Sequence, residues 1–168
     1  LTNLNITSIV QDNLGYIWIA TARGLNRYDG ISFEHYLSSK NENALYNDMI
    51  GIIFKNYEGN IFISSCGVNL FDTRKDKMYR LGTKHGNIID FVDFENKTYG
   101  MSTLSGLCVY KSATKSFDKL PHFNNDKTFT NLCSDSTSGI WGKSSDSQFL
   151  INFHPHLNQF RRFPIPGN

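Results

Sequence analysis

The chain has 168 residues, 39% hydrophobic and 14% aromatic, with 13 Phe, 8 Tyr and 13 Gly, a balance that leans towards sheet. Its 17 Lys plus Arg against 15 Asp plus Glu leave a net charge of +2, which gives no electrostatic footprint for nucleic acid or an anionic membrane. No apolar run approaches the roughly 20 residues of a membrane-spanning helix, and Cys66, Cys108 and Cys133 match neither a zinc spacing nor a disulfide framework.

The chain opens on Leu1 without a signal-peptide pattern and reads as a piece of a longer polypeptide. A short apolar strand, Ile6 to Asp12, comes first. Gly15 then closes a turn, and Tyr16 to Thr21 is aromatic and β-branched, as a strand should be. Ala22-Arg23-Gly24 makes a reversal, Leu25 to Asp29 runs back, and the more polar Ser32 to Tyr36 completes the unit.

The same quartet returns. Met49 to Lys55 is so continuously apolar that it predicts a strand covered on both faces. Gly59 to Ser65 follows, 44 residues after Gly15, then Gly67 to Asp72 and Lys77 to Leu81. The third unit reads Ile88 to Phe94, Lys97 to Met101, Gly106 to Tyr110 and Ser116 to Leu120. The fourth reads Phe129 to Asp135, Gly139 to Gly142, Phe149 to Phe153 and Gln159 to Phe163.

The third-strand aromatics Tyr28, Phe71, Tyr110 and Phe153 lie 43, 39 and 43 residues apart, so four units of about 42 residues account for the chain. That period suits four-stranded propeller blades. The expected fold is all-β: a single segment of four four-stranded antiparallel blades, near 1–42, 43–84, 85–124 and 125–163, with 164–168 as a linker. A sandwich or barrel would not explain one quartet recurring at a constant period.

The stretch from Ile9 to Gly30 resembles the two-component regulator propeller repeat, although Ala20 stands where a glycine is usual. The second unit matches in outline, and the last two in spacing and aromatics alone. The resemblance implies the periplasmic sensor region of a hybrid two-component system of the Bacteroides type, many of which respond to polysaccharide breakdown products. It also implies a small-molecule effector such as an oligosaccharide and further blades of the same protein. No nucleophile motif, phosphate loop or dinucleotide fingerprint appears, so neither a cofactor nor catalysis is expected in this segment.

Trp18, Phe62 and Trp141 share one place in their hairpins, and stacked blades bury such a repeated aromatic. Arg27 and Asp29 belong to the repeat signature, with Gly24, Gly67 and Gly106 at the reversals, and are expected to hold strands or blades together. Ligand contacts are expected where the repeats differ, on one face built from the turns between second and third strands and from the connectors between blades. That rim would comprise Arg23, Ser65, Ser105 and Asp146 on the turns, and Asn47, His85 and Asn124 on the connectors.

A propeller glycosidase or lyase is the enzymatic alternative, and a pure scaffold is the other. Glycosidases need two facing carboxylates. Asp90 and Asp93 lie on opposite faces of their strand, while Asp12 and Asp135 are expected to cap turns. His154 and His156 flank Pro155 with no carboxylate nearby in sequence, so no metal site is expected. Four blades of a repeat that closes at about seven would leave apolar faces exposed, which predicts self-association.

Overall fold

A computed structural model describes residues 1–82, 84, 86–120, 129–145 and 148–166. His85, Asn124 and Asp146 lie outside the described residues. Among the described residues every regular element is a strand, and each expected quartet is one four-stranded antiparallel sheet. The first sheet is β1 (Ile6–Gln11), β2 (Ile17–Thr21), β3 (Gly24–Tyr28) and β4 (Phe33–Tyr36). The second is β5 (Ile52–Lys55), β6 (Ile61–Ser64), β7 (Val68–Asp72) and β8 (Lys77–Arg80). The third is β9 (Ile88–Phe94), β10 (Lys97–Ser102), β11 (Gly106–Lys111) and β12 (Ser116–Lys119). The fourth is β13 (Phe129–Asp135), β14 (Gly139–Ser144), β15 (Phe149–His154) and β16 (Gln159–Pro164). In every sheet the strands lie side by side in chain order, which is the meander of a propeller blade.

Local chemistry sets these hairpins. Asp12, just past β1, accepts from the Leu14 and Tyr16 amides at 2.9 and 3.0 Å through one oxygen, and from Trp18 Nε1 at 2.7 Å through the other. Asp135 repeats the arrangement after β13: the Thr137 and Ser138 amides donate to it, and Trp141 Nε1 reaches it at 2.9 Å. In the second blade Asn56 takes this place, accepting from the Asn60 amide at 2.9 Å. Glu95 and Asn96, at φ 48° and 55°, instead make the two-residue turn between β9 and β10.

Packing divides the chain into two compact units, Leu1–Ile88 and Ile89–Asn168. In the first, Trp18, Ala20, Leu25, Leu45, Ile50, Ile53, Ile61, Ile63, Phe71 and Met78 form one buried cluster. The inner strands of its two blades meet where Ser8 Oγ donates to the Ile53 carbonyl at 3.3 Å. In the second, Val92, Phe94, Tyr99, Met101 and Leu107 of one blade share a cluster with Phe129, Ile140, Ile151 and Phe153 of the next. There the Leu132 amide donates to Asp90 at 2.7 Å.

Three expectations are corrected. The run from Met49 is a strand only from Ile52. Ile50 and Gly51 spend their amides on the Thr21 and Ser64 carbonyls, and β5 is only partly covered, with Ile52, Phe54 and Lys55 half-buried. Pro164 is not linker. It closes β16 opposite Phe149, at a place where the missing amide costs nothing on an outermost strand, and Ile165 donates to the Gln148 carbonyl at 2.8 Å. Trp141 is not packed like its counterparts: Trp18 and Phe62 are fully buried, whereas Trp141 is only partly buried and lies against Phe163 of its own sheet, ring centroids 5.4 Å apart.

Candidate functional site

The repeat signature makes an aromatic stack between the first two blades. Trp18 lies 5.6 Å from Tyr36 and 4.6 Å from Phe71, centroid to centroid. Arg27, directly across the sheet from Trp18, lays its guanidinium 4.9 to 5.8 Å from the rings of Tyr16, Trp18, Tyr36 and Phe71. It also pairs with Glu34 of its own blade and Asp76 of the next, each at 2.5 Å. A delocalised, weakly hydrated cation suits such a stack better than an ammonium would. Asp29 serves its own sheet: it accepts from Ile31 and Ser32 in the turn between β3 and β4, and those bonds hold its carboxyl below the usual range. Tyr28 stacks on Phe33 at 4.6 Å. Gly24, at φ 113°, makes the reversal under Tyr36 and Leu37, and Gly106 does so at φ 73°; Gly67 is buried in its turn, and Tyr110 and Phe153 are buried in their sheets.

Two buried amides, invisible as a pair from sequence alone, pin the segment that leads into each of the first two blades. Asn26 accepts from the Thr2 amide at 2.9 Å. Asn69, 43 residues later, accepts from the Tyr46 amide and donates to the Ala44 carbonyl, both at 3.0 Å. Arg80 completes the second clamp. Its guanidinium donates to the carbonyls of Ser39, Ala44 and Leu45 at 2.6 to 3.0 Å and lies 4.8 Å from the Tyr46 ring.

This clamp leaves a groove of about 490 Å³ lined by Glu42, Asn43, Tyr46, Tyr79 and Arg80. That size lies in the ligand range. A carboxylate, a primary amide and a guanidinium beside two tyrosine rings match a sugar ring, whose hydroxyls both donate and accept and whose C–H faces stack on aromatics.

The expected rim is only partly gathered. Arg23 is exposed, its amide donating to Thr21 Oγ1 at 3.1 Å. Its turn touches the connector that carries Asn47, since the Gly24 amide donates to the Asp48 carbonyl at 2.7 Å. Asn47 itself is half-buried, accepting from the Met49 amide at 2.8 Å. Ser65 is not a solvated loop residue: it is 7% exposed, and its hydroxyl finds no partner among the described residues. Ser105, half-buried, donates its amide to Ser102 Oγ at 2.9 Å.

The carboxylates weighed for catalysis are engaged structurally. Asp90 receives the Leu132 amide, and Asp93 receives Thr98 Oγ1 at 2.7 Å. A carboxylate does stand beside His156, although none is near in sequence: Glu95, from the β9–β10 turn, reaches its Nε2. His154 meets Phe94 edge-on at 5.7 Å. No group of three His, Cys, Asp or Glu able to hold a metal ion is gathered among the described residues.

Asp135 has a pH consequence. The Ser138 hydroxyl, then the Ser138 and Thr137 amides and the Trp141 indole, hold its carboxyl far below the ordinary 3.8. A depressed folded-state pKa adds stability that is complete above the unfolded value and drains away as pH falls below about 4. Asp135→Asn keeps an acceptor, as Asn56 does, but loses the charge. It should melt below the wild type at pH 6, with the gap narrowing towards pH 3 in thermal scans; a constant gap would refute this linkage.

Residues 1–23 match the family model described as "Two component regulator propeller". No curated protein matches the sequence. Among solved structures, the extracellular domain of what is termed a one component system from B. thetaiotaomicron superposes with a TM-score of 0.73 at 14% identity, covering 95% of this chain and 25% of that one. A second B. thetaiotaomicron extracellular domain, from what is termed a hybrid two component system, gives 0.58 at 17% identity over 98% of this chain and 31% of that one. Virginiamycin B lyase from Staphylococcus aureus gives 0.71 at 10% identity, over 96% and 56%. The chain thus spans a quarter to a third of the length of the two extracellular domains, and identities this low speak to fold alone. The chain is a set of four β-propeller blades, opening on a stretch similar to the two component regulator propeller repeat.

Proposed function

We propose that this segment belongs to the extracytoplasmic sensor of a two-component system and takes part in recognising an oligosaccharide or similar small molecule, without catalysing its conversion. The observation that carries the reading is the match of residues 1–23 to the regulator propeller model on a chain whose described strands form four blades. The likeness to two extracellular domains from B. thetaiotaomicron supports it. Binding would favour one arrangement of the receptor over another, and that differential affinity is all the signal requires. Further blades or a second copy of the chain would cover the part of Trp141 left open to solvent.

The groove at Arg80 is the site we assign to the sugar. Calorimetry of the full-length receptor against a glycan panel, with turnover assays alongside, tests the assignment. We expect binding without product, weakened at least tenfold by the double substitution Glu42→Ala, Asn43→Ala. Turnover would overthrow the sensor reading; unchanged affinity in the double variant would move the site elsewhere.

A further inference from the structure

The two compact units contain the same blade-to-blade joint built with different side chains. In the first, the joint is filled by Trp18, Arg27 opposite it, Tyr36 on the fourth strand, and Phe71 from the next blade. Counting along the same registers, the second unit places Tyr99, Val109, Leu120 and Phe153 at these positions. Three of the four are smaller, and the cation is gone. Asp76, which answers Arg27 from the following turn, is replaced there by Asn158, with the same φ of 49°.

The loss leaves a cavity. A pocket of about 260 Å³ opens at this joint, walled by Tyr99, Val109, Tyr110, Leu120 and Pro155, with Lys97, Lys111 and His156 at its polar side. The pocket opens to solvent on the side of Lys97 and Lys111, both exposed, and its floor is the buried Tyr99 ring. The three basic side chains are unequally answered. Lys111 pairs with Asp118 at 2.6 Å and Glu95 reaches His156, whereas Lys97 makes no ion pair among the described residues. Burial, then the charge of Glu95, pushes the Tyr99 phenol up to about 12, so it is a neutral O–H donor at physiological pH.

We propose that this cavity is a binding pocket for a small carboxylate with an apolar body, the body replacing the missing arginine and larger aromatics and the carboxylate meeting Lys97. The apolar wall favours a hydrocarbon or aryl group over a sugar ring, so the pocket is separate from the groove at Arg80. Its test shares no ligand with the glycan panel.

Phenylacetate is the probe, and its neutral isostere phenylacetamide the control, on the full-length protein by calorimetry and thermal shift. Phenylacetate should bind with a dissociation constant on the order of 1 mM, the range for a ligand of about ten heavy atoms. The amide should bind at least tenfold more weakly. Val109→Arg with Asn158→Asp rebuilds the clamp of the first joint; it should raise the melting temperature and abolish phenylacetate binding. Lys97→Gln lies on an exposed side chain. It should weaken phenylacetate at least tenfold while leaving the melting temperature and amide affinity unchanged, which keeps the test alive if the rebuilt clamp does not fold. Equal affinity for acid and amide, no binding of either, or full-strength binding in either variant overturns the proposal.

Discussion

Replacing Trp18 by alanine should cost about 4 kcal/mol of folding stability, among the largest effects of any single substitution in the first unit. The side chain is fully buried, and removal of such a ring typically costs about 3 to 5 kcal/mol through lost transfer energy and the cavity left behind. Two losses add to the usual cost. Arg27 loses one of the four rings it covers, and the buried Asp12 carboxylate loses its indole donor, keeping only the Leu14 and Tyr16 amides. Trp18→Phe, which keeps a ring but not the donor, should cost about 1 to 2 kcal/mol. Trp141→Ala at the equivalent, only partly buried position should cost less than Trp18→Ala does, because part of that side chain is already in water. Equilibrium urea unfolding of the three variants checks the ranking; equal costs at Trp18 and Trp141 would mean that their shared motif, rather than their burial, sets their worth.

The second large effect is expected at Gly139, which opens β14. Its φ is +106°, where an L side chain is strained, and a Cβ there would stand 2.4 Å from the Phe153 carbonyl oxygen and 3.0 Å from the His154 Cα. Both obstacles are backbone of the paired strand β15, so neither can swing aside. Gly15, at φ +92°, has nothing within 4 Å of the same imagined atom. Gly15→Ala should therefore cost only the conformational strain, about 1 kcal/mol, and Gly139→Ala about 3 kcal/mol or more, since β14 and β15 must part to admit the methyl group. Should the two alanines prove equally mild in urea unfolding, the close approach at Gly139 would not exist in solution.

The sheet quartets were legible because aromatic runs, reversals and polar outer strands return every forty-odd residues, and each strand pairs with its neighbour in sequence. Asp12 and Asp135 were legible as turn caps for the same reason: their partners lie within six residues. What stayed hidden depends on the stacking of one blade on another. Glu95 meets His156 across 61 positions, and Arg27 meets Asp76 across 49, distances over which local pattern carries no information. Ser65 read as a polar loop residue because composition cannot tell a wet turn from a covered one. The rim expected from repeat variability did not include Arg80 and Tyr46, which meet in a clamp that exists only once the connector is folded back. Val109 was equally silent: an ordinary valine on a strand becomes notable only when set beside the arginine that occupies its place two blades earlier.

Since each sheet is a plain meander, every strand finds its hydrogen-bonding neighbours within its own forty-odd residues, and only the packing of one blade on the next waits for a later portion of the chain. Loop closure over such short spans is entropically cheap and kinetically fast. As the polypeptide leaves the ribosome, hairpins can therefore form one after another from the amino end, each completed sheet offering a template for the next. Sequential assembly of this kind would tolerate insertions between blades far better than within them.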